Sequence, residues 1–236
     1  KDCSTNLIGV IDPSEFKKID DLILKKYKKL DYILNTHYHF DHVGGNIDLK
    51  KKYNSKIVGF EIDKEKIPGI DIILNKNDKF KFGATTFEII FVPGHTKGHI
   101  CFYSRADKII FTGDTLFSLG CGRIFEGTYK QMYDSLNKIK SLPKNSKIYC
   151  GHEYTMNNFK FCIKFDKTNK NLTKKIKWIN EKLIKNLPTV PISLEEELDT
   201  NIFLRCDNLQ VKNNLKMSGY QDELIFKKLR DLKDDF

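Results

Sequence analysis

Up to about residue 155 the apolar residues fall in short runs separated by polar and glycine positions, and beyond it they recur at helical intervals. Asp31-Tyr-Ile-Leu-Asn35, Phe87 to Val92, Ile109 to Thr112 and Lys147 to Cys150 read as strands, and Gly9 to Asp12 as a strand end. Phe16, Ile19, Ile23 and Tyr27 repeat at helical spacing and predict a helix beneath a sheet. Phe80 to Phe87 reads as a hairpin around Gly83. Thr128 is placed to cap a helix through Leu142, which Pro143 ends. Later, Leu172, Ile176, Ile179 and Leu183 form one apolar stripe, with Trp178 assigned to packing, and Ser193-Leu-Glu-Glu196 carries a capping-box pattern. No flexible linker falls between Glu153 and Phe159, so the helical part is expected to dock tightly.

The strand ends carry the chemistry. Thr36-His37-Tyr38-His39-Phe40-Asp41-His42 follows one strand directly, and its donors converge only if the backbone turns sharply there, with Val43-Gly44-Gly45 allowing close packing where a helix begins. Pro93-Gly94-His95-Thr96-Lys97-Gly98-His99, Gly113-Asp114-Thr115 and Gly151-His152-Glu153 each follow another strand. Four strand ends presenting His or Asp predict one rim of a sheet sandwich. Imidazole nitrogens and carboxylate oxygens suit zinc, iron or manganese rather than calcium alone.

With these segments in this order, nearly the whole chain resembles the glyoxalase II (hydroxyacylglutathione hydrolase) family of the metallo-β-lactamase superfamily. The resemblance implies an α/β fold, a four-layer αββα sandwich, with a catalytic domain over residues 1–155 and a helical substrate-binding domain over 156–236. It further implies two divalent metal ions, zinc foremost, with iron or manganese as alternatives. His37, His39 and His95 would hold the first, Asp41, His42 and His152 the second, and Asp114 would bridge them; His99 would support the site without binding metal. The superfamily's β-lactamases place a Cys and an Arg where this chain has Asp114 and His42, which argues against antibiotic hydrolysis.

The implied reaction is hydrolysis of S-(2-hydroxyacyl)glutathione, typically S-D-lactoylglutathione, to the hydroxy acid and glutathione, a step of methylglyoxal detoxification. A hydroxide bridging the metals would attack the thioester carbonyl, with Asp41 accepting a proton and Asp114 fixing the metal spacing. The leaving thiolate needs little protonation, since its parent thiol has a pKa of roughly 8.5. Gly120 to Gly127 resembles the family loop that meets glutathione, with Arg123 where many relatives carry Lys and Phe125 where some carry Tyr. Tyr154 matches a family aromatic that contacts the peptide. Arg230 and Lys233, one turn apart on a predicted helix, match a terminal Arg-x-x-Lys and are expected to face the same carboxylate. The alternatives are a mononuclear-iron persulfide dioxygenase and a metal-dependent RNA-processing nuclease; the terminal basic pair favours the hydrolase over the first.

Composition changes this picture little. The net charge of +10 comes from lysines scattered with asparagines throughout, which fits an AT-rich coding bias better than an RNA-binding patch. No run approaches the ~18 apolar residues of a membrane span; the partner implied by the resemblance is a small glutathione thioester, with neither nucleic acid nor membrane expected. Six cysteines without C-x-x-C pairing read as reduced thiols in a cytoplasmic setting, with an organelle as the alternative because the chain opens without Met. Cys121 is either an exposed thiol beside its glycines or, by a slight margin, a buried filler.

Overall fold

Parallel strands need long crossovers, and the alternation at the start of the chain supplies them. In the computed structural model, which describes all residues from Lys1 to Phe236, β1 (Gly9–Ile11), α1 (Phe16–Lys26), β2 (Tyr32–Leu34), α2 (Phe40–Val43), α3 (Asn46–Tyr53), β3 (Lys56–Phe60) and β4 (Ile72–Leu74) follow in turn. The four strands form a parallel sheet in that order. The helix expected over Phe16 to Tyr27 is α1, with Tyr27 as its C-cap. Beneath it, Ile23, Leu30, Ile33, Leu49 and Ile57 make one buried cluster, against which Phe16 and Ile19 pack.

The next segment alternates by two instead. β5 (Lys79–Phe82) pairs with β6 (Thr85–Phe91) as the expected hairpin, and β7 (Ile100–Ser104) and β8 (Ile109–Gly113) extend the antiparallel sheet. Phe80 and Phe82 point inward while Lys79 and Lys81 face out. Phe80, Phe82, Phe87, Ile89 and Phe102 meet Leu34, Val58 and Phe60 of the parallel sheet in a second core cluster. These elements belong to a compact unit of Lys1–Phe91 and Thr96–Gly113, built as helices on a sheet on a sheet.

A second compact unit comprises Val92–His95 and Asp114–Phe236. It contains the hairpin β9 (Leu116–Phe117) and β10 (Gly120–Cys121), then α4 (Tyr129–Lys140), β11 (Lys147–Cys150), α5 (Thr155–Phe165), α6 (Lys170–Ile184), β12 (Ile192–Ser193), α7 (Leu194–Thr200), α8 (Leu209–Asn214) and α9 (Asp222–Asp234). Thr128 caps α4 in a full capping box with Gln131, although the helix ends at Lys140, short of Leu142. On α6, Leu172 and Ile179 are buried as expected, whereas Leu183 is exposed and Lys175 is buried. Lys175 Nζ donates to Glu197 Oε1 at 2.7 Å, which pairs the charge it carries inward.

The capping box expected at Ser193 does not form. Ser193 is the N-cap of α7 but its side chain makes no capping bond. The amides of Leu194 and Glu195 donate instead to the Ser146 and Lys144 carbonyls, and Glu196 pairs with Lys175. Neighbouring Glu197 uses Oε2 to accept from Leu119 N at 2.7 Å. Asn201 Nδ2 donates to Phe117 O and Gly120 O, and Asn158 Nδ2 to Ser118 O, so α5 and α7 hold the β9–β10 hairpin without any linker between them. No helix is long and apolar enough to cross a membrane.

Candidate functional site

The first group of donors sits where β2 ends. His37 and His42 are buried, His39 is half-buried and the Asp41 side chain is 57% exposed. A Cβ at Gly44 would lie 2.4 Å from the Ser14 carbonyl, so the turn from α2 to α3 can approach the segment between β1 and α1 this closely only with glycine. Asp12, one residue past β1, organises the group. Its Oδ1 accepts from Thr36 N at 2.8 Å, and its Oδ2 accepts from Thr36 Oγ1 at 2.6 Å and from His42 Nδ1 at 3.0 Å.

Donor and acceptor rules then fix two tautomers. A carboxylate only accepts, so His42 carries its proton on Nδ1. Thr36 spends its hydroxyl proton on Asp12, so its oxygen accepts from His37 Nδ1 at 3.0 Å. In the neutral form of each ring the lone pair is then left on Nε2. His37 Nε2 lies 3.2 Å from His39 Nδ1, and two donors bound to one tetrahedral ion at 2.0–2.1 Å would be about 3.4 Å apart. His42 Nε2 is 3.8 Å from Asp41 Oδ2. Asp12 has an oxygen within 4.8 Å of His37 and His42 donors, but it sits behind the rings, on their Nδ1 edges. His99 stacks on His37 at 4.7 Å between centroids.

The second group lies in the other unit. His95 Nδ1 donates to the Arg123 carbonyl at 2.8 Å, which again leaves the lone pair of the neutral ring on Nε2. That Nε2 is 3.5 Å from Asp114 Oδ2, and His152 Nε2 is 3.4 Å from the same oxygen. One carboxylate oxygen thus faces two imidazoles. A Cβ at Gly122 would lie 1.9 Å from the Asp114 carbonyl and 3.2 Å from His95 Nδ1, so only glycine lets the loop rest on these residues. The ring of Tyr154 stacks on His152 at 4.9 Å. In the first unit acceptors orient His37 and His42 by their Nδ1 edges and Asp41 stands beside His42 Nε2; in the second the Arg123 carbonyl orients His95 and Asp114 stands beside the Nε2 atoms of His95 and His152. This donor chemistry fits a divalent metal ion.

The residues expected to read substrate are also placed. Phe125 is 62% exposed, with its ring edge-on to His95 at 5.3 Å. Arg123 is exposed and pairs with Asp234 on α9: Nε donates to Oδ1 at 3.1 Å and Nη2 to the carbonyl at 3.2 Å. Arg230 and Lys233 do not face one carboxylate together. Arg230 is 3% exposed and points inward, donating from Nη1 to the Cys121 carbonyl at 2.8 Å. Lys233 is half-buried, its ammonium 5.3 Å from the Phe161 ring centroid and 4.9 Å from that of Phe236. Burial, aided by the positive charges of Arg230 and Arg123, lowers its pKa. Cys121 is buried, and burial pushes its thiol up to about 11. Sequence reading missed Asp12, Thr36 and Asp234; the only signal for Asp12 was its position at a strand end.

Residues 10–152 match the model of the metallo-beta-lactamase superfamily and residues 153–236 that of the hydroxyacylglutathione hydrolase C-terminus. The chain is 54% identical over 235 residues to the hydroxyacylglutathione hydrolase of Pelagibacter ubique, covering 100% of this chain and 92% of that protein. Among solved structures, ETHE1 from Myxococcus xanthus aligns with a TM-score of 0.64 at 22% identity, over 98% of this chain and 83% of that one, a likeness of fold alone. TTHA1623, solved in a di-iron-bound form, aligns with a TM-score of 0.54 at 28% identity, over 60% of this chain and 80% of that one. With the metallo-β-lactamase fold and both family models accounted for along its length, the chain belongs to the hydroxyacylglutathione hydrolase family of the metallo-β-lactamase superfamily.

Proposed function

We propose that the protein hydrolyses S-(2-hydroxyacyl)glutathione thioesters, S-D-lactoylglutathione foremost, to the hydroxy acid and glutathione. The observation that carries this reading is the second unit's own arrangement. Asp114 Oδ2 stands against His95 and His152, and the same unit carries the Gly120–Gly127 loop and Lys233, the last within the segment 153–236 that matches the hydrolase C-terminus. His37, His39 and His95 are assigned to one divalent ion, Asp41, His42 and His152 to a second, with Asp114 shared; the di-iron form of TTHA1623 supports the count of two. Zinc is the first choice of metal, iron and manganese the next.

Such ions supply Lewis-acid chemistry, polarising a thioester carbonyl and lowering the pKa of water to about 7. The side chains do the rest. Asp12 and Thr36 hold His37 and His42 in the tautomer that presents Nε2, and the Arg123 carbonyl does the same for His95. Asp41, exposed and 3.8 Å from His42 Nε2, accepts the proton released by the attacking water. The departing group is a thiolate and requires no side-chain acid. Lys233, a partly desolvated cation, binds a glutathione carboxylate; Arg123 adds charge, and Phe125 and Tyr154 offer exposed aromatic faces to the peptide. In this scheme residues 156–236 serve as the substrate-binding part. Six free cysteines accord with a reducing, cytoplasmic setting.

Metal analysis combined with a thioester assay tests the reading. Close to two ions per chain and rapid hydrolysis of S-D-lactoylglutathione are expected, with far slower turnover of the N-acetylcysteamine thioester. A single iron sufficing for activity with oxygen consumed, or cleavage of structured RNA with the thioester left intact, would overturn it.

A further inference from the structure

The backbone from Cys121 to Arg123 runs between the His95–Asp114 pair and helix α9, and each of its three carbonyls is engaged. Arg230 Nη1 donates to Cys121 O at 2.8 Å and lies 3.5 Å from Gly122 O. The third carbonyl, of Arg123, accepts from His95 Nδ1 at 2.8 Å. Both arginines converge on one acid: Asp234 Oδ1 accepts from Arg230 Nη2 at 3.0 Å and from Arg123 Nε at 3.1 Å. We infer that Asp234 is a positioning residue for His95, acting through the two arginines to fix the Arg123 carbonyl that sets the ring's tautomer and direction. The inference rests on the reading of His95 as a metal ligand.

Three features support a role beyond holding the helix together. Arg230 is 3% exposed with its guanidinium 5.3 Å from the Phe203 ring centroid, and a charge so buried needs an ionic partner, which Asp234 provides. Asp234 ends α9, where the helix dipole disfavours an acid, so helix stability does not account for it. Gly122 packs against Asp114 and His95 too closely for a side chain, so displacement of the loop is transmitted to both residues.

The test uses the full chain with Asp234→Ala, Asp234→Asn, Lys233→Met and His95→Ala, each titrated with zinc against a chromophoric chelator and examined by nitrogen NMR for histidine tautomers. Asp234→Ala is expected to weaken one bound zinc by about 10-fold or more, within the 10- to 100-fold range for residues that orient ligands, and to mix the tautomers of His95. Asp234→Asn retains an oxygen acceptor and should recover much of that loss. Lys233→Met, on the same helix face but without a bond to the loop, should leave zinc affinity unchanged while raising KM. Zinc affinity and a His95 tautomer both unaltered by Asp234→Ala, while His95→Ala loses metal, would overturn the inference alone. Wild-type zinc binding by His95→Ala would overturn the ligand assignment beneath it.

Discussion

Replacing Asp12 by Asn tests how far one carboxylate governs the first donor group. Asparagine keeps the shape and tolerates the left-handed backbone, φ +50°, that Asp12 adopts, so the fold is little disturbed. Its Oδ1 can still accept from Thr36 N. The amide nitrogen, however, then points where Thr36 Oγ1 and His42 Nδ1 both donate, and three donors have no acceptor among them. His42 relieves the conflict by moving its proton to Nε2, and Thr36 loses the acceptor that made its oxygen available to His37. Outer partners of ligating histidines are worth 10- to 100-fold in metal affinity. At roughly 1.4 kcal/mol per factor of ten this is about 1.4–2.8 kcal/mol. Folding should cost about 1–3 kcal/mol, because two charge-assisted bonds are lost while a neutral amide is cheaper to bury than a carboxylate. Chelator competition measures the first quantity and urea unfolding of the metal-free protein the second. Metal affinity equal to wild type in both Asp12→Asn and Thr36→Val would refute the reasoning.

Other outcomes follow from buried charge and buried thiol. Glu197→Ala leaves Lys175 buried without its closest acid and frees Leu119 N, so unfolding free energy should fall by about 3–5 kcal/mol in urea titration; a loss below about 1 kcal/mol would show that water replaces the carboxylate. Cys121 and Cys162 are buried, and burial pushes their thiols from 9.0 to about 11 and about 12. The unfolded chain releases these protons first, so stability is intact below about pH 9 and falls as pH rises toward 11–12, by up to about 1.4 kcal/mol per unit for each thiol. A flat or rising stability over that range would contradict the assignment. Lys233→Met should raise KM with little change in kcat, and added salt should shrink the difference from wild type; equal KM values would remove Lys233 from substrate binding.

The donors were legible because His and Asp at strand ends have few other reasons to recur in that order, and α1, the β5–β6 hairpin and the Thr128 cap were legible because their signals are local. Asp12 was not, since its role arises from the parallel register that pairs Ile11 with Leu34 and so sets Asp12, one residue on, within reach of Thr36, two residues on. Ser193 shows the opposite failure: a sound local pattern was overridden by carbonyls supplied from residues 144 and 146. For Arg230 the helical spacing from Lys233 was right, yet spacing alone does not tell which of two cations the helix buries. The burial of Lys175 was not legible for a related reason, because its acid, Glu197, lies on a separate helix and no periodicity links them.

The hold of α5 and α7 on the β9–β10 hairpin bears on transplanting parts between relatives. A chimera joined near residue 155 would draw Asn158, Glu197 and Asn201 from one parent and their backbone targets at Phe117, Ser118, Leu119 and Gly120 from the other. Those targets are main-chain groups, which every sequence supplies, so the graft tolerates divergence in the hairpin's side chains except at Gly120, where a Cβ would lie 2.5 Å from Asn158 Nδ2, and does not tolerate a change in its length. Whole C-terminal segments are therefore open to exchange, provided the three polar anchors travel together and the loop they grip keeps its residue count.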